Sequence, residues 1–295
     1  MSFLGYTEKI SAGDLVIVCR GYERMFAVKI ESGAVTQVKG GAVHHDGLIG
    51  KTFGSKVYTS NGNNWVIVFH PTPELWTLTL PHRTQIIYTP DASMISLQLD
   101  LRPGSKVIES GTGSGGLSHS LARSVAPNGH LYTYEFHDQR AALAREEFRG
   151  HGLSEVVTLE CRDVCTRGFG LTDTVDAVFL DLPNPWLAVQ HAKEAIKVTG
   201  GRLCSFSPCI EQVQRTVKEL LSSGFTDIDT VECLLRPFDV HPHSLSVPNI
   251  GGAESVSRLV RPTLSTQSLY TAQPTTKKIP GHTGFLTFAT LPHKQ

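Results

Sequence analysis

Apolar positions change their period twice along the chain. Up to about residue 70 they come in short runs rich in β-branched residues: Asp14–Cys19, Phe26–Ile30 and Trp65–Phe69, separated by Gly13, Gly21, Ser32-Gly33, Gly40-Gly41 and Asn61-Gly62. Short runs punctuated by turn residues predict strands, and this density of turns predicts a small all-β, barrel-like module. His70-Pro71-Thr72-Pro73 marks a boundary. From Thr84 to Leu99 the apolar residues Ile86, Ile87, Met94, Ile95, Leu97 and Leu99 suggest a helical stretch that Pro90 interrupts or starts.

Beyond Arg102-Pro103-Gly104 strands and helices alternate. Strands are expected at 106–109, 130–135, 156–159, 175–180, 201–206 and 226–235, and helices at 117–125, 138–149 and 211–222. That alternation predicts a doubly wound α/β sheet, a Rossmann-like fold. Residues 241–282 are rich in Ser, Thr, Pro and Gly and exceed ordinary loop length, which reads as a mobile insert. Gly284–Thr290 reads as a last strand. The division expected is an N-terminal β module over 1–72 and an α/β domain over 73–295.

Composition narrows the class only a little. The 295 residues are 40% hydrophobic and 18% charged, ordinary for a globular chain. There is no membrane-length apolar run and no basic-then-apolar leader, so an intracellular protein without a membrane span is expected. The six cysteines form no CxxC pair, so no metal site is expected. The formal net charge is zero. A nucleic-acid ligand would then need locally clustered charge or a partner that supplies it.

The chemistry concentrates in two segments. Glu109-Ser110-Gly111-Thr112-Gly113-Ser114-Gly115-Gly116 follows a strand and opens a helix. The glycines permit a tight turn and close approach of a ligand to backbone. Gly111, Gly113 and Gly116 satisfy the dinucleotide spacing, and a purely structural turn is also open. Glu109 argues against a pyrophosphate, which it would repel, and suits a cationic amino acid moiety. The E-x-G-x-G-x-G arrangement resembles the first motif of Rossmann-like methyltransferases, which implies S-adenosylmethionine held by Glu109, Gly111, Gly113, Ser114, Gly115 and Gly116. Glu135, at the next strand end, has the spacing of a ribose ligand for either cofactor. Asp163, beside Val164, is a candidate acceptor for an adenine amino group or else a helix cap. Arg140 is a candidate near the ribose, or a plain surface arginine.

Asp181-Leu182-Pro183-Asn184-Pro185-Trp186 follows the fourth α/β strand, where side chains face the crevice. It is a variant of the D/N-P-P-[FYW] motif that marks amino methyltransferases. Adenine N1 already carries an in-plane lone pair, so no strong base is needed. Asp181 is the candidate catalytic residue and also a candidate cofactor contact: it would accept a hydrogen bond from the exocyclic amino group and stabilise the developing positive charge. Pro183, Asn184 and Trp186 are candidate substrate contacts, with Trp186 stacking on an extruded base or simply packing in the core.

Taken together, these segments resemble the tRNA (adenine-58-N1)-methyltransferase family, and within it the eukaryotic catalytic subunit. The likeness covers nearly the whole chain apart from 241–282. It is carried by Phe53–Lys56, Pro71–Trp76, Pro81–Tyr88, Glu109–Gly116, Asp181–Trp186, Phe206–Gln214 and Gly281–Gly284. The resemblance implies methyl transfer to N1 of an adenine in the T-loop of tRNA. It implies that Gln85–Tyr88, Ile87 above all, line the cofactor pocket. It implies a nuclear protein that assembles with a homologous non-catalytic subunit into a two-plus-two heterotetramer. His82 and Arg83 are then candidate phosphate contacts, or ordinary loop charge. The rival acceptors are messenger RNA adenine and protein isoaspartate. The rival class is a non-catalytic RNA-binding scaffold, which would be expected to lose Glu109, the glycines or Asp181.

Overall fold

The computed structural model describes residues 3–20, 24–243, 269–275 and 284–294. Gly21, residues 244–268 and 276–282 of the expected 241–282 insert, and Thr283 therefore lie outside the described residues; the rest of that stretch is not a mobile loop, since 241–243 pair with 269–271 as antiparallel strands.

The N-terminal module holds strands β1 (Leu15–Cys19), β2 (Met25–Lys29), β3 (Val35–Val38), β4 (Gly41–His44), β5 (Lys56–Tyr58) and β6 (Trp65–Phe69). They form an antiparallel sheet in the order β2-β1-β6-β5 and a separate β3-β4 ladder. Alternate residues Val16, Val18, Val28, Val66 and Val68 point to one core with Ile10, Ile30, Leu48 and Phe53. The module is all-β as expected, but among the described residues no continuous ladder closes it into a barrel.

The boundary segment starts a helix instead of merely separating domains. Thr72 Oγ1 accepts the Leu75 N–H (3.3 Å), and Pro73 opens α1 (Pro73–Thr79). Residues 1–233 and 280–295 form one compact unit, and residues 234–279 a second. Phe3 is buried in the α/β core, and Leu15 and Ala27 pack against it, so the β module and the α/β part share apolar surface.

The helix expected over 84–99 begins later, as α2 (Thr89–Gln98), with Pro90 in its first turn. Residues 84–88 are not helical. The Arg83 and Thr84 N–H groups donate to Ser114 Oγ (2.9 and 3.1 Å), and Tyr88, the residue before the helix, is extended (φ −87°, ψ 165°). The remaining elements are β7 (Lys106–Ser110), α3 (Gly116–Val125), β8 (His130–Glu135), α4 (Asp138–Gly150), β9 (Val157–Cys161), α5 (Val164–Arg167), β10 (Ala177–Leu180), α6 (Val189–Ala195), β11 (Gly201–Ser207), α7 (Ile210–Ser222), β12 (Thr226–Val231), β13 (Phe238–His243), β14 (Leu269–Pro274) and β15 (Phe285–Leu291). The strand expected over 226–235 thus stops at Val231, and Leu234 and Leu235 are exposed.

The main sheet has the order β12-β15-β11-β10-β7-β8-β9. β9-β8-β7-β10-β11 are parallel, and β15 enters antiparallel between β11 and β12. The central strands are covered on both faces, which is why Val107, Ile108 and the whole of Ala177–Leu180 are apolar and buried. The helices bury single stripes, as α3 does with Leu117, Leu121, Ala122 and Val125. Chain order reverses between β7 and β10, and in such sheets the crevice at that reversal is where ligands bind.

Candidate active site

β7 and β10 lie side by side, with Glu109 opposite Phe179 and Ser110 opposite Leu180. Asp181 follows one residue beyond that ladder, its N–H donating to the Ser110 carbonyl (2.8 Å). The glycine loop turns directly over this tip. Gly111, Gly113 and Gly115 have φ of 98°, 54° and 76°, values that side chains disfavour. A Cβ on Gly111 would run into the Asp181 carbonyl oxygen, and one on Gly113 would stand 2.6 Å from Thr84 Oγ1. The loop is therefore a backbone cradle between two strand ends. It forms one wall of a cleft of about 1110 Å³, at the upper end of the ~300–1,000 Å³ usual for small-molecule pockets.

Two carboxylates dominate its electrostatics. Glu109 is fully buried, and Ser118 Oγ and Thr133 Oγ1 both donate to its Oε2 (2.6 and 2.7 Å). Its Oε1 takes no hydrogen bond from the described residues. Desolvation pushes Glu109 up to about 7 despite those two donors, with help from the nearby Asp181 and Glu135 charges. The Asp181 carboxylate takes no hydrogen bond from the described residues either. Part of Asp181 opens on the cleft, yet most of its surroundings are protein, and desolvation followed by the Glu135 charge pushes it up to about 7. Two poorly compensated carboxyl groups at adjoining strand tips form a site that gains from a cation.

Glu135 accepts the N–H groups of Gly113 and His137 (both 3.0 Å) and a guanidinium bond from Arg140 (2.8 Å). It ties the loop to the end of β8, and Arg140 stands at the rim because it follows Glu135 there. Asp163 caps α5, its Oδ1 accepting the Cys165 N–H (3.0 Å) and its Oδ2 the Thr166 hydroxyl (2.9 Å). The cap and the cleft position coexist, since Asp163 and Val164 both line the cleft. Ile87, Gly115, Gly116, Pro183 and Asn184 line it too. Ser114 belongs to the wall, but its hydroxyl is engaged by the Arg83 and Thr84 backbone.

Three expected substrate contacts fall elsewhere. The Arg83 guanidinium makes two bonds to Glu147 (2.6 and 2.9 Å) and its side chain is only 12% exposed, so it braces α4 instead of facing solvent for a phosphate. The Trp186 ring does not line the cleft; it lies under the Arg215 guanidinium, 5.1 Å from the ring centre. His82 is exposed and outside the cleft.

Other lining residues were not singled out from sequence. Phe136 and Leu187 stand exposed at the rim, and Phe206 lies inside. Gln212 Nε2 donates to the Pro183 carbonyl (3.0 Å) and so fixes the Asp181–Trp186 turn. A signal existed for three of these. Phe136 directly follows Glu135 at a strand tip, and Phe206 and Gln212 lie within the Phe206–Gln214 segment.

The cradle, the acidic tips and the acidic Glu135 fit S-adenosylmethionine: backbone can approach the ligand closely, and Glu109 suits its cationic end while opposing a pyrophosphate.

Comparisons with known proteins support the same fold and cofactor class. Residues 64–291 match the family described as tRNA methyltransferase complex GCD14 subunit. The chain is 47% identical over 234 residues to the tRNA (adenine(58)-N(1))-methyltransferase catalytic subunit trmt61a of Dictyostelium discoideum, covering 78% of this chain and 75% of that one. It is 48% identical over 255 residues to the TRM61 catalytic subunit of the same activity in Cryptococcus neoformans, covering 85% of this chain but 58% of that longer one. Among solved structures, a SAM-dependent O-methyltransferase from Thermotoga maritima superimposes with a TM-score of 0.79 at 30% identity, covering 98% of this chain and 96% of the other.

Proposed function

The chain belongs to the family of GCD14 subunits of the tRNA methyltransferase complex, and from that premise we propose that it is the catalytic subunit, transferring a methyl group from S-adenosylmethionine to N1 of adenine 58 in the T-loop of tRNA. One observation carries the reading: Glu109 and Asp181, both raised to about 7, meet beside a glycine cradle at the switch point of the sheet.

When bound, the cofactor supplies an electrophilic methyl group on a sulfonium. Glu109 would hold its cationic end, and the carboxylate of Glu135 the ribose. The wall formed by Ile87, Asp163 and Val164 would take the adenine. Asp181 is left to the acceptor base. Its carboxylate would accept the hydrogen bond of the exocyclic amino group and stabilise the positive charge that grows on the purine. Gln212 holds the turn that carries it, through the Pro183 carbonyl. Pro183 and Asn184, both exposed at the mouth, are placed to touch the entering nucleotide. Positioning does most of the remaining work, because N1 needs no deprotonation.

A scaffold role is disfavoured because the chain keeps Glu109, the loop glycines and Asp181 in one cleft. A protein acceptor is disfavoured by the family match. The substrate test is incubation of the purified complex with unmodified tRNA and methyl-labelled cofactor, followed by nucleoside mapping. N1-methyladenosine at the T-loop is expected; label on protein or at another base would refute the assignment.

The chain works within a complex, as its family description states. The proposed assembly is two catalytic and two homologous non-catalytic chains. The β13–β14 ladder supports a protein contact: Phe238, Val240 and Pro242 pair with Pro274, Ala272 and Tyr270, which puts six apolar residues on one exposed face. A neutral chain would also borrow basic surface for RNA from such a partner. Replacing Phe238, Val240 and Tyr270 by Ser is expected to abolish co-purification of the partner; unchanged co-purification would exclude this face. The proposed compartment is the nucleus, to be tested by microscopy of the tagged chain.

A further inference from the structure

Two histidines buried beneath the glycine loop take no part in the chemistry above. His119 lies on α3, and its ring Nδ1 is 2.6 Å from the Gly115 carbonyl oxygen. Its Nε2 is 2.8 Å from Nδ1 of His151, the residue that ends α4. Phe3 meets His119 edge-on and His151 at a tilt, both with ring centres 4.7 Å apart, Trp76 lies 4.8 Å from His151, and Phe148 lies 5.6 Å from His119.

The hydrogen-bond chain fixes where the protons are. A carbonyl oxygen only accepts, so His119 must carry its proton on Nδ1. Its Nε2 is then an acceptor, and His151 must donate from its own Nδ1. Burial keeps both rings neutral, lowering His119 to about 3 and His151 to about 4.

The backbone then carries this order to the cleft. Gly115 precedes the first turn of α3, and the His119 backbone N–H also reaches its carbonyl, though at a long 3.3 Å. The shorter side-chain bond therefore holds that peptide. In a trans peptide the following N–H points opposite to the carbonyl. With the Gly115 carbonyl drawn back toward His119, the Gly116 N–H is directed away from the helix. It has no acceptor among the described residues, and Gly115 and Gly116 both line the cleft.

We propose that His119, oriented by His151, is a positioning residue for cofactor binding: it locks the Gly115–Gly116 peptide so that the Gly116 N–H is presented to the ligand. The inference rests on the glycine loop being the S-adenosylmethionine site.

Two substitutions separate this role from simple packing. His119→Phe keeps the ring among Phe3, Trp76 and Phe148 but removes the donor. His119→Asn loses the ring but puts an amide N–H where Nδ1 stood. A packing role ranks Asn as the worse variant; the positioning role ranks Phe as the worse binder. Calorimetry with S-adenosylmethionine on the full complex is expected to show at least fivefold weaker binding for His119→Phe, recovered to within about threefold by His119→Asn. Turnover at saturating cofactor should stay within about twofold in both. A loss below fivefold in His119→Phe, or no recovery in His119→Asn, would overturn the proposal. Nitrogen-15 spectra of the wild-type chain give a second reading that needs no variant: His119 must show the Nδ1–H tautomer, and the Nε2–H form would equally overturn it. Wild-type protein that failed to bind the cofactor would instead refute the functional reading beneath.

Discussion

The carbonyl oxygen of Asp181 fills the place that a Cβ on Gly111 would need. The cofactor loop and the proposed acceptor-facing turn are thus packed backbone to backbone, and neither can shift alone. Gly111 is also at φ 98°, where alanine is strained. Gly111→Ala is therefore expected to separate the two strand tips, weakening cofactor binding at least tenfold and lowering turnover at least 100-fold. Calorimetry and a methylation assay on the complex check it. Near-normal values for both would mean that the two segments move independently.

Asp181→Asn keeps the shape of the side chain and removes the negative charge. Loss of an electrostatic stabiliser of this kind costs about 10²–10³ in turnover. The expected result is that loss in N1-methyladenosine formation, with cofactor affinity changed much less. Wild-type turnover in Asp181→Asn or Asp181→Ala would remove Asp181 from its role.

The carboxyl groups at the strand tips make two pH effects of opposite sign. Glu109 is raised to about 7 in the fold, whereas its ordinary value, which the unfolded chain restores, is 4.5. Between those values the fold holds a proton that the unfolded chain has released, so its contribution to stability falls as pH rises toward 7. A bound cation favours the ionised form, so cofactor affinity should rise over the same interval. Wild-type affinity is expected to be several-fold lower at pH 6 than at pH 8. Glu109→Gln, which still accepts from Ser118 and Thr133, should bind more weakly at pH 8 with a flatter profile. The apo variant should gain thermal stability relative to wild type as pH rises. Parallel affinity profiles for the two proteins would contradict the assignment of Glu109 to the cationic end.

The frame of this site was legible because its signals are local. A carboxylate at a strand end followed by glycines, as at Glu109–Gly116, needs no distant partner to be read. The same holds for Asp181 after an apolar four-residue strand. What escaped was set by residues far apart in the chain. Arg83 looks like free loop charge until Glu147, 64 residues on, is seen beside it. Trp186 looks like a stacking platform until Arg215 covers it. Residues 84–88 carry an apolar pattern that suits a helix, yet Ser114 draws the preceding N–H groups aside and Pro90 sets the start of α2. The antiparallel entry of β15 between β11 and β12 follows from pairing across more than 50 residues, which no local period records.

Arg83 gives the sharpest contrast between the two readings. A phosphate contact would add about one unit to the slope of log affinity for tRNA against log salt, and Arg83→Ala would remove it with little effect on folding. A brace to Glu147 predicts the reverse. Both partners are largely covered, at 12% and 21% exposure, and the pair is bidentate. Removing the guanidinium leaves a shielded carboxylate unpaired, which costs on the order of 2–3 kcal/mol, below the range for a fully buried pair. The same change loosens the 83–84 backbone from Ser114 and hence the floor beneath Gly113. Arg83→Ala is thus expected to lower the thermal midpoint and weaken cofactor binding while leaving the salt slope for tRNA as in wild type. Glu147→Gln should reproduce the stability loss, because it weakens the same pair from the other side. A variant that folds as well as wild type but shows a reduced salt slope would return Arg83 to the RNA surface.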